Sequence, residues 1–345
     1  AHFGSITVVA VSIMSAFLAG VAFGSLLAPR IARYIAKVEA VIGFFGLLLA
    51  VLVYSGITMD VAITFIRIAG GISPVVVALL VPCIVAVPAF CTGASLPLFS
   101  YWIEHFRQSD PRQGETALTS TAFSLAYGAY NLGAALCLLI VELWLIRAYG
   151  PTINLALLAC INLVTAFFLS VICRPAGGLE QIRLIRPQFD LSTVIMCITG
   201  ICEGLFTALA LMLAYQLMGG YPHVVAAVLT ASFLGMTLGA ALVEKLKCYR
   251  LTPWLAVSFM LFFVQIGLIN LGFTFSHDLG RWVFYDINAV YGWWIALGAL
   301  IALFIPIYIA YGGIEPLLMR YNASTGIARG GEILFWSTLA NAVGL

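Results

Sequence analysis

Apolar residues run for about 20 positions or more again and again along this chain, and polar or charged residues gather in the short stretches between the runs. Each run is long enough to cross a hydrocarbon layer about 30 Å thick, so each predicts a membrane-spanning helix. The runs fall at roughly 5–28, 39–57, 73–103, 117–146 and 152–173, then 191–217, 223–244, 252–275, 291–319 and 331 onward. Between the two sets, RPAGGLEQIRLIRPQ (174–188) carries Pro, Gly and charge with no apolar period, which predicts a linker. The chain therefore divides into a first membrane repeat (1–174), a linker (175–189) and a second membrane repeat (190–345).

An internal repeat organises the two halves. SAFLAGVAFGSLLAPRIAR, from Ser15 to Arg33, returns as SFLGMTLGAALVEKLK, from Ser232 to Lys247. Both copies hold a small-xxx-small pair, Gly20/Gly24 and Gly235/Gly239, followed by a basic exit. Helices in lipid gain nothing from the hydrophobic effect by pairing, so small residues that admit close backbone approach predict packing faces. The second half has an additional span before its copy, Leu191 to Leu217, whereas the first half begins where that span would end. The expectation is an all-α, polytopic membrane protein of about ten helices here. They would be two parallel repeats of a six-plus-six plan, with the first and last helices missing and the last run cut in the fifth helix of its half. Such parallel repeats are the arrangement of major-facilitator folds.

Composition agrees: 63% of the 345 residues are hydrophobic and 9% charged, more apolar surface than one soluble core can hide. If the loops alternate sides, one side takes thirteen Lys and Arg residues and the other only Arg67, Arg147 and Arg281. The excess marks the cytoplasmic side, with the linker on it and a bacterial inner (plasma) membrane as the expected location. A net charge of +2 without a basic cluster points away from nucleic acid. The eight cysteines form no CxxC and lie mostly in apolar runs, so neither a disulfide framework nor a metal site is expected.

The fourth helix of each half carries the densest chemistry. Residues 73–103 hold Pro88 and Pro97, and residues 291–319 hold Pro306 and Pro316, at offsets of 218 and 219. An internal proline removes a backbone donor and displaces the carbonyl four residues earlier, so both helices are expected to kink or break. Interruptions at matching places in two halves point to a substrate-binding site, and a kink that only fits neighbouring helices is the alternative. Glu203 lies in mid-run and Glu315 directly precedes Pro316. A charge near the bilayer centre costs at least about 2.5–3.5 kcal/mol, so such groups face a partner or water. Glu203 is the first candidate for contacting a cation or carrying a proton; a hydrogen bond to a neighbouring helix is the bland reading.

Glu142 and Arg147 predict a local ion pair or interfacial anchor. Glu39, Glu104, Glu115 and Glu332 fall at helix ends and are expected to be solvated. Trp102, Trp144, Trp254, Trp282, Trp293 and Trp294 fall near predicted boundaries, as an aromatic belt would. The outer connection 273–294 mixes aromatic residues with Asp278, Arg281 and Asp286, and is a candidate contact with a larger membrane complex. His2, His223 and His277 share no spacing that predicts a ligand set.

The run from Phe17 to Arg30, the segment Gly93-Ala-Ser-Leu-Pro-Leu98 and the segment Tyr130-Asn-Leu-Gly-Ala134 resemble the membrane region of fused major-facilitator/spermidine-synthase proteins. The resemblance implies a multi-helix membrane domain that precedes a soluble aminopropyltransferase-like domain, with Glu203 matching an acidic residue in the first helix of a repeat. The basic residue implied about five positions later is replaced by Ala208 and Leu209. No GxGxxG after a strand, P-loop, HExxH or GxSxG occurs. No catalytic residue or cofactor is therefore expected in this stretch, and any catalytic part would lie after Leu345. Three functions stay open: a membrane-anchoring or transporter-like domain of such a fused protein, an accessory subunit of a larger assembly, or a stand-alone transporter of small, polyamine-like molecules.

Overall fold

Helices close every backbone hydrogen bond within one segment, which is the arrangement a water-free environment demands. All regular structure among the described residues of the computed structural model is helical; these residues are 3–55, 74–108, 118–173, 190–218, 222–246, 250–276, 278, 289–321 and 326–345. In chain order the helices are α1 (Phe3–Leu27), α2 (Ile35–Tyr54), α3 (Pro74–Gln108), α4 (Leu118–Ile140), α5 (Ile146–Ile172) and α6 (Leu191–Met218). They continue with α7 (Pro222–Lys245), α8 (Leu251–Thr274), α9 (Ala289–Gly312), α10 (Ile314–Tyr321) and α11 (Gly326–Gly344). Among the described residues, seven helical stretches are long and apolar enough to cross a membrane, and two of these, Ile13–Tyr54 and Ala122–Ile172, each hold a pair of helices. The chain is a multi-pass helical membrane protein.

Two short irregular pieces turn those pairs. A 3-10 segment, Ala28–Tyr34, joins α1 to α2, with Pro29 in its first turn and Ile31 outside helical geometry. Trp102 donates its indole N–H to the Ala32 carbonyl at 3.2 Å, so α3 holds this corner. A π turn, Val141–Leu145, joins α4 to α5. Within α5, Gly150 takes φ 75°, ψ 171°, open to glycine alone, just before Pro151.

The repeated glycines set the tightest crossings. A Cβ on Gly20 would lie 2.7 Å from the Ala89 Cβ, and one on Gly24 would fall on the Phe90 carbonyl oxygen. In the other copy, a Cβ on Gly235 would meet Tyr308, and one on Gly239 would meet the Ile309 carbonyl oxygen. The glycines stand 215 positions apart and their partners 219, as Ala89 and Tyr308 do. The partner helices reciprocate: Gly93 abuts the Val21 backbone and Gly312 the Met236 backbone. Thus α1 crosses α3 as α7 crosses α9. The other large interfaces pair α2 with α5 and α6 with α11, while α1 packs on α11 and α4 on α7 between the halves.

Several expectations are corrected. The helical pattern of α3 runs through Pro88 and Pro97, and that of α9 through Pro306. The interruption comes instead at Gly313, where the Trp254 ring fills the space a side chain would need. Pro316 then sits in the first turn of α10, where its missing N–H costs nothing. The freed carbonyl of Ala310 accepts from Trp254 Nε1 at 2.7 Å and from Ser258 Oγ at 3.4 Å. Trp102 and Trp254 therefore serve internal joints, whereas Trp144 and Trp294 are exposed as a belt requires. Glu39, Glu104 and Glu332 are buried rather than solvated, because neighbouring helices extend past these ends; Ser95 Oγ donates to Glu39 Oε1 at 2.7 Å. Glu115, the linker 175–189, His2, His277, Trp282 and half of the connection 273–294 lie outside the described residues.

Candidate functional site: a cavity between the halves

A cavity of about 290 Å³ opens where the two halves meet, and both sequence-predicted carboxylates line it. Glu203 comes from the middle of α6 and Glu315 from the first turn of α10, each with 7% of its surface exposed. The break at Gly313 is what brings Glu315 here: it ends α9 and starts a new helix whose free N–H groups favour a negative side chain. Asn341 stands near Glu203, and Ser337 and Tyr127 near Glu315, as potential hydrogen-bond partners. The second oxygen of Glu315, Oε2, is buried with no partner among the described residues.

Corresponding positions of the two halves form the wall. Leu18 and Val21 of α1 are matched by Phe233 and Met236 of α7, at the glycine offset of 215. Leu96 of α3 is matched by Glu315 of α10, at the offset of 219 already seen for the crossings. Tyr127, Tyr130, Asn131 and Ala134 of α4 are matched by Leu334, Ser337, Thr338 and Asn341 of α11, every pair 207 apart. The chemistry is unequal across this match. Both carboxylates belong to the second half, while the first half contributes Phe17 and the rings of Tyr127 and Tyr130. Among the described residues no Lys, Arg or His lines the cavity.

The four prolines proposed for the site are not on its wall. With the partner register at 219, Pro97 and Pro316 correspond, whereas Pro88 is matched by Ile307 and Pro306 falls one place off. The four packing glycines hold the wall helices at their crossings, and Gly93 is itself on the wall. Tyr127, Asn131, Ser337 and Asn341 were missed in the sequence. Their signal, a row of polar residues at helical spacing, is faint beside the apolar run around it.

The halves also touch beside the cavity and beyond it. Towards the end rich in Lys and Arg, the rings of Phe23 and Phe335 meet at a tilt with centroids 5.7 Å apart, and Gly331 abuts the Ser25 carbonyl. At the opposite end, Glu142 and Arg147 do not form a pair of their own: both reach His223 of α7, Oε1 at 2.6 Å from Nδ1 and Nη2 at 3.0 Å from Nε2. A comparison with protein-family models and with curated proteins finds no match for the chain.

Proposed function

We propose that this chain is a transporter-like membrane domain of two parallel repeats, of the kind that precedes the soluble domain of fused major-facilitator/spermidine-synthase proteins. One observation carries the reading: the cavity is walled by matching positions of the two halves, at fixed offsets of 215, 219 and 207. A fold built only to anchor has no need for a chamber holding two carboxylates at the repeat junction, whereas a midplane site there is what an alternating-access protein requires. Equivalent helices α1 and α7 lie six helices apart in the plan, an even number of crossings, so both enter in the same sense. The resemblance segments supply Phe17, Gly93 and Tyr130 of the wall, which adds support to the kinship. The basic end is cytoplasmic in this reading, and the contacts at Phe23/Phe335 and at Glu142/His223 open in turn.

Accessibility of an engineered thiol tests this. Thr338→Cys, in sealed vesicles of one orientation, should react with membrane-impermeant maleimide from both sides, above the labelling of the parent chain. Linking Phe23→Cys to Phe335→Cys should abolish labelling from the basic end alone. A cavity labelled from one side only, and indifferent to the link, marks an anchor rather than a transporter.

A further inference from the structure

We propose that the cavity binds a small organic cation through a primary ammonium group held between Glu203 and Glu315. The proposal rests on the transporter-like reading of the same site and names its ligand class. Charge is the first ground: two carboxylates and no basic side chain line the cavity among the described residues. An anion would find no positive partner there, whereas a cation would meet two groups able to carry negative charge. The second ground is an unfilled valence. Glu315 lines the cavity and is 93% withdrawn from solvent, yet its buried Oε2 has no partner among the described residues, so a donor arriving beside this side chain would meet an acceptor that the protein leaves unmet. An ammonium offers three donors, enough for that oxygen, for Glu203 and for one hydroxyl or amide of the wall.

Shape and lining separate an organic cation from a bare metal ion. About 290 Å³ is the space of roughly ten waters, far more than a desolvated ion fills. The lining also includes Phe17, Leu18, Val21, Phe233 and Met236, which suit methylene groups and offer an inorganic ion nothing in exchange for its water. Among the described residues, no group of three His, Cys, Asp or Glu stands together. The rings of Tyr127 and Tyr130 come from the other half, where cation–π attraction would add to the carboxylate contacts. The ligand would therefore touch both halves at once, acids on one and rings on the other.

Ligand-dependent thermal unfolding of the full chain in detergent provides the test, followed by tryptophan fluorescence at constant ionic strength. Butylamine and 1,4-diaminobutane should each raise the melting temperature in a saturable manner. Butanol, butyrate and sodium chloride should leave it unchanged. Glu203→Gln and Glu315→Gln keep size and hydrogen bonding, and each should weaken the dissociation constant for butylamine at least tenfold, while Glu244→Gln, outside the cavity, should not. If either Gln variant folds poorly, equilibrium dialysis with labelled butylamine on Tyr127→Phe, expected to bind several-fold more weakly, gives an independent reading. Tighter binding of the diamine would mean that both carboxylates pair with charge, equal binding that one does; both support the proposal. Equal stabilisation by butanol or by sodium, or binding untouched by both Gln variants, overturns it. The Thr338→Cys accessibility pattern needs no ligand, so it stands or falls separately.

Discussion

Gly239→Ala probes the crossing that shapes each half. The new methyl would land on the Ile309 carbonyl oxygen, 2.8 Å from the Gly313 nitrogen and 2.9 Å from the Gly312 carbonyl carbon. Comfortable contact needs about 3.5–4.0 Å, so α7 and α9 must part by roughly 1 Å, opening gaps along the whole crossing. All three obstructing atoms are backbone and cannot rotate away. Overpacking of this kind costs about 1–3 kcal/mol, against a gain of at most about 1 kcal/mol from alanine's better helix propensity. The expected net loss is about 1–2 kcal/mol, roughly a 5- to 30-fold fall in the folded-to-unfolded ratio. Gly24→Ala, at the matching crossing over the Phe90 carbonyl, should lose a similar amount. Gly133→Ala and Gly298→Ala are the controls: no atom lies within 4 Å of their added methyls, so they should be neutral or slightly stabilising. Denaturant unfolding of the purified protein in mixed micelles, followed by fluorescence, measures all four. Equal losses at Gly133 and Gly239, or none at Gly239, would refute the backbone-contact account.

Ser95→Ala removes the donor to Glu39 and leaves a buried carboxylate oxygen short of a partner, so unfolding free energy should fall by about 1–3 kcal/mol, measured in the same micelles. Trp254→Phe deletes the 2.7 Å bond to the Ala310 carbonyl and should cost about 1 kcal/mol or more, with faster proteolysis near residue 313 as a second readout. Gly150→Ala forces a methyl-bearing residue into glycine-only backbone space and should cost about 1–3 kcal/mol, although no neighbour lies within 4 Å. A double-mutant cycle of Glu142→Gln with His223→Asn should return a coupling of about 0.2–1 kcal/mol, since the pair is partly exposed; a null coupling would remove it as an inter-half contact.

How much was legible in the sequence differs by level. The helix over 191–217 is observed at Leu191–Met218 because an unbroken apolar run leaves only its ends in doubt. Gly20, Gly24, Gly235 and Gly239 were legible as packing residues, since a missing side chain in lipid has few other uses. Glu203 and Glu315 were legible as intramembrane acids, but not as neighbours: they sit 112 positions apart, and only the packing of both α6 and α10 on α11 joins them. Pro88, Pro97 and Pro306 leave the helical pattern unbroken, while the break in the fourth helix of the second half falls at Gly313, just before Pro316, which has no N–H to return to Gly312; the Trp254 ring beside that break is a long-range contact that no local pattern encodes. The burial of Glu39, Glu104 and Glu332 was hidden for the same reason.

The length of α3 has a consequence for what meets the water on either side. Its 35 residues, Pro74–Gln108, extend about 52 Å, against a hydrocarbon thickness near 30 Å. Even tilted, this rod outgrows the lipid tails, so turns at one end or the other stand in the headgroup layer instead of among the acyl chains.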